Sequence, residues 1–183
     1  MSELLTPSQQ VIEHRASWRF RGQERPPFAD PVGAGEESVW DYPRPPRLEP
    51  VAEPLRVFYA GLELAHTERG LRVCETASAA TYYFPPDDVA VAALVRTGGR
   101  SHCEWKGIAD EYAAEDRIAL AWSYHEVYLE FAELKDWFAF YPRAADCYVG
   151  QEKVGAQPGG YYGGWVTANL AGPIKGAPGS SGW

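Results

Sequence analysis

Leu55-Arg56-Val57-Phe58-Tyr59-Ala60-Gly61-Leu62-Glu63-Leu64-Ala65-His66 decides how this chain is read. Two runs of strand-forming residues, Leu55–Tyr59 and Leu62–His66, flank Ala60-Gly61, a dipeptide suited to a tight turn. The spacing predicts a β-hairpin. The same pattern repeats outward from it. Leu71–Thr76 follows the Arg69-Gly70 break, and Thr81–Phe84 stops at Pro85-Pro86. Ser101–Lys106, Ile118–Tyr124, Phe138–Tyr141 and Cys147–Val154 are further extended runs. Helical spacing is confined to short pieces. These are Ser8–Arg15, Val89–Val95 behind a cap at Asp87-Asp88 and ahead of Gly98-Gly99, and Val127–Trp137, which fits helix or strand but is read as a short helix because Tyr128, Phe131, Leu134 and Phe138 recur at helical spacing. Many short strands with one or two brief helices predict a mainly β, antiparallel domain.

The ends of the chain complete the organisation. Residues 1–38 are polar and turn-rich after the first helix and read as an N-terminal extension, partly irregular. Residues 39–183 read as a single domain. It opens on Val39-Trp40-Asp41-Tyr42-Pro43-Arg44-Pro45-Pro46, where prolines force an extended course and two rings look like anchors. It closes on Gly159-Gly160-Tyr161-Tyr162-Gly163-Gly164-Trp165, Gly172-Pro173-Ile174-Lys175-Gly176 and Pro178–Trp183. Glycine alone would suggest a flexible tail, but glycine alternating with large rings predicts an ordered strap packed on the domain.

Composition removes whole classes of function. The chain has 183 residues, 25 acidic against 17 basic, and a net charge of −8. Phosphate backbones need clustered Lys and Arg, so no nucleic-acid partner is expected, and the longest basic patch, Arg15–Arg21, reads as a solvated segment. No run reaches the ~18 apolar residues of a membrane span. Met1–Pro7 lacks the basic-then-apolar pattern of a leader. Cys74, Cys103 and Cys147 are odd in number, with no C-x-x-C. The expectation is a cytoplasmic, reduced protein with no metal and no cofactor.

Five segments, in chain order, carry a likeness: Glu37–Pro46, Leu71–Thr76, Cys103–Gly107, Ala121–Tyr124 and Gln157–Trp165. Together they resemble the signatures of the bacterial domain-of-unknown-function family 427 over about residues 37–183. The resemblance implies a compact β-tent, or Mss4-like, fold of antiparallel sheets meeting over a shared core. Zinc-bearing relatives of that architecture use paired C-x-x-C motifs, so a metal-free version is implied. A nucleotidyltransferase label sometimes attached to the family has no counterpart here, since no Asp-x-Asp pair and no Gly-Ser loop preceding one occurs. Three positions depart from the family pattern. Ala77-Ser78-Ala79-Ala80 replaces a Ser-His-Pro-Pro-like stretch, His125 stands where proline is usual, and Cys74 replaces an aliphatic residue. The resemblance brings no agreed activity.

Strand alternation gives the sharpest chemical inference. In Leu71–Thr76, Glu75 shares the face of Leu71 and Val73. A carboxylate ending an apolar face is costly unless paired. Lys106 precedes Gly107, which lets its ammonium turn inward and meet Glu75. The pair reads either as an ion pair that fixes the sheet or as a catalytic pair, Glu75 moving a proton and Lys106 holding an anionic group. Tyr42, Tyr82, Trp122, Tyr124, Tyr162 and Trp165 are the candidate ligand-binding rings, with plain core packing as the alternative. Cys103 reads as an inert thiol, because His102 points the opposite way on a strand and only His125, on another strand, could serve as its base. His66, His102 and His125 show no metal-ligand spacing, and Lys175 reads as a solvated lysine. Two functions fit. One is a protein that binds or converts a small organic molecule; the other is a non-catalytic interaction module, a homodimer, using segment 39–50 and the strap.

Overall fold

The computed structural model describes residues 4–183; the reading of Met1, Ser2 and Glu3 lies outside them. One α-helix, α1 (Gln9–Ser17), precedes fifteen short strands. They are β1 (Glu37–Ser38), β2 (Arg47–Pro50), β3 (Leu55–Tyr59), β4 (Leu62–Thr67) and β5 (Leu71–Cys74). Then come β6 (Thr81–Tyr83), β7 (Val95–Cys103), β8 (Gly107–Ala113), β9 (Ala119–Val127) and β10 (Phe138–Phe140). The last are β11 (Asp146–Val149), β12 (Glu152–Lys153), β13 (Gly155–Ala156), β14 (Trp165–Val166) and β15 (Leu170–Ala171).

The fold is mainly β. It is antiparallel throughout these sheets except for the two-residue pair β1–β15. Two four-stranded sheets run β10-β9-β8-β7 and β12-β11-β3-β4, and a three-stranded sheet runs β2-β5-β6. The predicted hairpin is β3–β4, with Ala60 and Gly61 at φ of 50° and 80°, the left-handed pair that such a turn requires. Phe84 and Phe138 exchange backbone hydrogen bonds of 2.8 and 2.9 Å, which seats the three-stranded sheet against the β10 edge. Along this joined surface, side chains alternate between two hydrophobic cores. Cys74, Tyr82, Phe138 and Phe140 enter one core, and Val73, Tyr83 and Ala139 enter the other.

Part of the Gly/aromatic C-terminal segment packs on the sheets through Trp165. Trp165 is buried, stacks on Tyr82 at 4.9 Å, and donates through its indole nitrogen to the Phe140 carbonyl at 2.9 Å. Trp40 and Tyr42 are buried anchors.

Three local readings are corrected. No α-helix forms over Val89–Val95. Two 3-10 turns, Pro86–Asp88 and Val91–Ala93, flank Val89, which bridges to Ala65 of β4. Tertiary pairing outweighs a weak two-turn helix rich in β-branched valine, and Gly98-Gly99 sits inside β7 instead of ending a helix. Val127–Trp137 holds a 3-10 helix, Leu129–Leu134, broken at Phe131 (φ −120°), with Phe131 and Leu134 buried. The central strand β8 was not anticipated at all, because Asp110 and Glu111 interrupt its apolar pattern.

Candidate functional site

The turn that links β7 to β8 places Lys106. Gly107 has φ of +123°, and Gly107 packs on the backbone of Glu126 and Val127, so only glycine fits there. The chain therefore folds back sharply, and Lys106 is buried with its Nζ 6.0 Å from the centre of the Tyr124 ring. Burial works against its charge, but Cys103, Tyr124, Tyr83 and Glu75 around it favour the ammonium, and the balance holds it well above an ordinary lysine. Burial pushes the Tyr83 phenol up to about 12 and raises Tyr124 and Cys103 as well. The Tyr83 hydroxyl, fully buried beside this cation, makes no hydrogen bond.

Glu75 itself is held by another residue. Arg44, with no exposed side-chain surface, donates from Nε to Glu75 Oε1 at 3.1 Å. Its remaining nitrogens reach the carbonyls of Phe20 (3.0 Å) and Thr76 (3.1 Å) and the main-chain terminal oxygen of Trp183 (3.3 Å). Lys106 forms no ion pair with Glu75 within 4 Å; its influence is through the field. Arg44 lies 31 residues from Glu75 in sequence, which left strand alternation no means of naming it.

The residue most clearly misread is Lys175. Far from being solvated, it is 4% exposed. Its backbone nitrogen donates to Ala77 O at 2.7 Å, its carbonyl accepts from the Gln157 amide at 2.9 Å, and its Nζ donates to Trp183 O at 2.8 Å. Burial, with Arg44 next, lowers it to about 8. The departing loop Ala77–Ala80 thus supplies a carbonyl that fixes the Lys175 backbone.

Trp18 closes the site, and it comes from the segment expected to be solvated. Its ring receives Arg44 at 4.1 Å and Lys175 at 4.0 Å, and its indole N–H donates to Glu104 Oε1 at 3.0 Å. Arg15 fastens the same segment, donating to Glu104 O at 2.6 Å and lying over the rings of Trp105 and Tyr128. Net charge gave no warning of this contact, because a desolvated arginine on aromatic faces is a tertiary event.

The six candidate rings are not gathered around one cavity. Tyr42, Tyr82 and Trp165 pack in the core on one side of the joined sheets, Trp122 and Tyr124 on the other. Tyr162, half-buried, is the one beside Lys175, its ring centre 5.8 Å from Nζ. The rings come from separate strands and loops whose inward faces open onto different cores. A depression of about 370 Å³ beside His66 and Asp88, and another of about 290 Å³ along Arg19–Pro27, both exclude Glu75, Lys106 and Lys175.

The histidines stay apart. His102 Nε2 meets the Tyr128 hydroxyl at 2.9 Å, His66 is exposed, and His125 bridges Asp136 (2.5 Å) and the Tyr112 hydroxyl (2.8 Å). Among the described residues, no group of three or more His, Cys, Asp and Glu side chains is placed to hold a metal ion, and no helix is long and apolar enough to cross a membrane. Residues 47–151, more than half of the chain, match the model of a family described as a domain of unknown function, DUF427. No curated protein matches the chain.

Proposed function

The chain belongs to the DUF427 family, and from that premise we propose that it binds or converts a small organic anion at the cluster of Arg44, Glu75, Lys106 and Lys175. One observation carries the reading: Arg44 and Lys175 converge on a single oxygen, that of Trp183, while both lie against the Trp18 ring. Two buried cations sharing one acceptor form a receptor for a carboxylate-like group. In this arrangement the chain's own oxygen and indole fill the receptor, and a ligand enters as Trp18 moves off. Glu75 is the acid–base group, Lys106 supports it through its field, and Tyr162 covers the organic part. Burial of Trp40, Tyr42 and Trp165 argues against segment 39–50 and the strap as a protein-binding surface.

A thermal-shift screen tests this with small organic acids and their neutral amides. An acid at 100 times its Kd adds about 2.7 kcal/mol, about 5–10 °C for a chain of this size. The acids stabilise wild type, bind more readily to Trp18→Ala, and lose their effect in Lys175→Met. Equal shifts from acids and amides, or none in either wild type or Trp18→Ala, overturn the proposal.

A further inference from the structure

We infer that Trp183 is an internal ligand of the anion site, and that the external ligand it stands in for is an aryl-alkanoic acid, its carboxylate on Arg44 and Lys175 and its ring against Phe28 and Trp40. This rests on the reading of the cluster as a small-anion site, and names the chemical class of the anion.

Three features of the structure converge on Trp183. The first is charge. Trp183 is the last residue of the chain, so the oxygen that Lys175 Nζ reaches at 2.8 Å and Arg44 at 3.3 Å belongs to a carboxyl group. Both cations are only 4% exposed, so this carboxylate meets them with little competition from water.

The second is the ring. The Trp183 indole stacks on Phe28, centres 5.3 Å apart and planes 23° apart, and stands edge-on to Trp40 at 5.3 Å. Phe20 closes the same box, 5.3 Å from Trp40 and 6.0 Å from Phe28. Its carbonyl also accepts from Arg44 at 3.0 Å, so ring box and cation pair are one construction. The depression of about 290 Å³ along Arg19–Pro27 shares Phe20 with the box. Arg25 is engaged by Asp41 there, which leaves Arg19 and Arg21 against Glu24 and gives the mouth a net positive lining.

The third is the tether. Ser180 is buried, its hydroxyl donating to Ala177 O at 2.6 Å and accepting from the Gly176 N–H at 2.8 Å. Ser181 and Gly182, which follow it, are exposed, and a Cβ added at Gly182 meets nothing within 4 Å. Two loosely held residues therefore join a fixed Ser180 to a half-buried ring, and rotation about them carries Trp183 out without unravelling the strap.

The spacing of the external ligand follows from the residue itself. In tryptophan two saturated carbons separate indole from carboxylate, and N-acetyl-L-tryptophan keeps that distance. Its amide N–H replaces that of Trp183, which donates to Ser180 O at 3.1 Å. The exchange is non-covalent: one carboxylate leaves the two cations as the other arrives. Affinity for the external acid is then reduced by the fraction of molecules in which Trp183 is out.

The test is calorimetric titration of wild type and full-length Trp183→Ala at pH 7 with N-acetyl-L-tryptophan, its carboxamide and ringless N-acetylglycine. N-acetyl-L-tryptophan is expected to bind Trp183→Ala about tenfold or more tightly than wild type. The carboxamide and N-acetylglycine should each bind the variant about tenfold or more weakly than N-acetyl-L-tryptophan does. If Trp183→Ala does not fold, nitrogen-15-labelled wild type carries the test. The Trp183 indole N–H signal, assigned by its loss in Trp183→Phe, should move toward that of an exposed indole as N-acetyl-L-tryptophan saturates. Equal binding to wild type and Trp183→Ala, or an unmoved Trp183 signal at saturation, overturns the internal-ligand role. N-acetylglycine binding as tightly as N-acetyl-L-tryptophan overturns the aryl assignment and leaves the anion site standing. Equal binding of acid and carboxamide, or no binding of either acid to wild type, Trp183→Ala or Trp18→Ala, overturns both.

Discussion

Replacing Arg44 by alanine removes the post on which the proposed site is built. The guanidinium makes four hydrogen bonds, one to Glu75, two to the carbonyls of Phe20 and Thr76 and one to the main-chain terminal oxygen of Trp183, with no side-chain surface exposed. Deleting one partner of a buried pair costs about 3–5 kcal/mol, because the other charge stays behind unpaired. The Glu75 side chain is 19% exposed, so water recovers part of the loss. A cost of about 3 kcal/mol is expected, a fall in Tm of about 6–12 °C for a chain of this length. Arg44→Lys keeps the charge but not the planar fork, and cannot reach four acceptors at once, so about half the loss should remain. Urea denaturation of wild type and both variants measures this directly. Arg44→Ala also removes a cation that lowers Lys175, so the amine should titrate higher, visible as slower labelling by an amine-reactive reagent at pH 8. A loss below about 1 kcal/mol in Arg44→Ala, or an Arg44→Lys variant as stable as wild type, would refute the assignment of Arg44 as organiser.

Three further outcomes are expected. Lys175 titrates near 8 when folded and near 10.5 when unfolded, so between those values the unfolded chain binds the extra proton and stability rises with pH. Wild type should therefore gain on Lys175→Met between pH 8 and 10 and run parallel to it below pH 7; a flat difference across pH 7–10 would show that the amine is not depressed. Gly107→Ala forces an L side chain to φ +123° with its Cβ 2.9 Å from the Val127 Cα, and should cost about 2–3 kcal/mol by chemical denaturation. Retained stability there would mean that the turn placing Lys106 is not needed. Trp165→Ala should cost about 3–5 kcal/mol, while Trp165→Phe, which loses the hydrogen bond to the Phe140 carbonyl and part of the ring volume, should cost about 1–3 kcal/mol. Near-neutral behaviour of the alanine variant would show that the strap contributes nothing.

The sequence makes the β3–β4 hairpin legible because Ala60-Gly61 and the flanking β-formers are contiguous. It likewise exposes the anchoring of Trp40, Tyr42 and Trp165, since large rings among prolines or glycines have few alternatives to burial. Strand β8 was illegible because Asp110 tolerates burial through Arg96 and Arg100 on β7, partners that appear only once the strands pair. Glu75 was found from local alternation. Its partner Arg44 was not, nor were Trp18 and Lys175, which reach the same place from opposite ends of the chain.

By itself, then, the amino-acid order determined a mainly β, antiparallel chain, its turns and its ring anchors, because backbone preference and side-chain alternation act over a few residues. Which charges meet was decided only by the tertiary structure. Electrostatic pairing and desolvation depend on distance in space, and the fold brings residues 18, 44, 75 and 175 together while parting rings that stand side by side in the sequence.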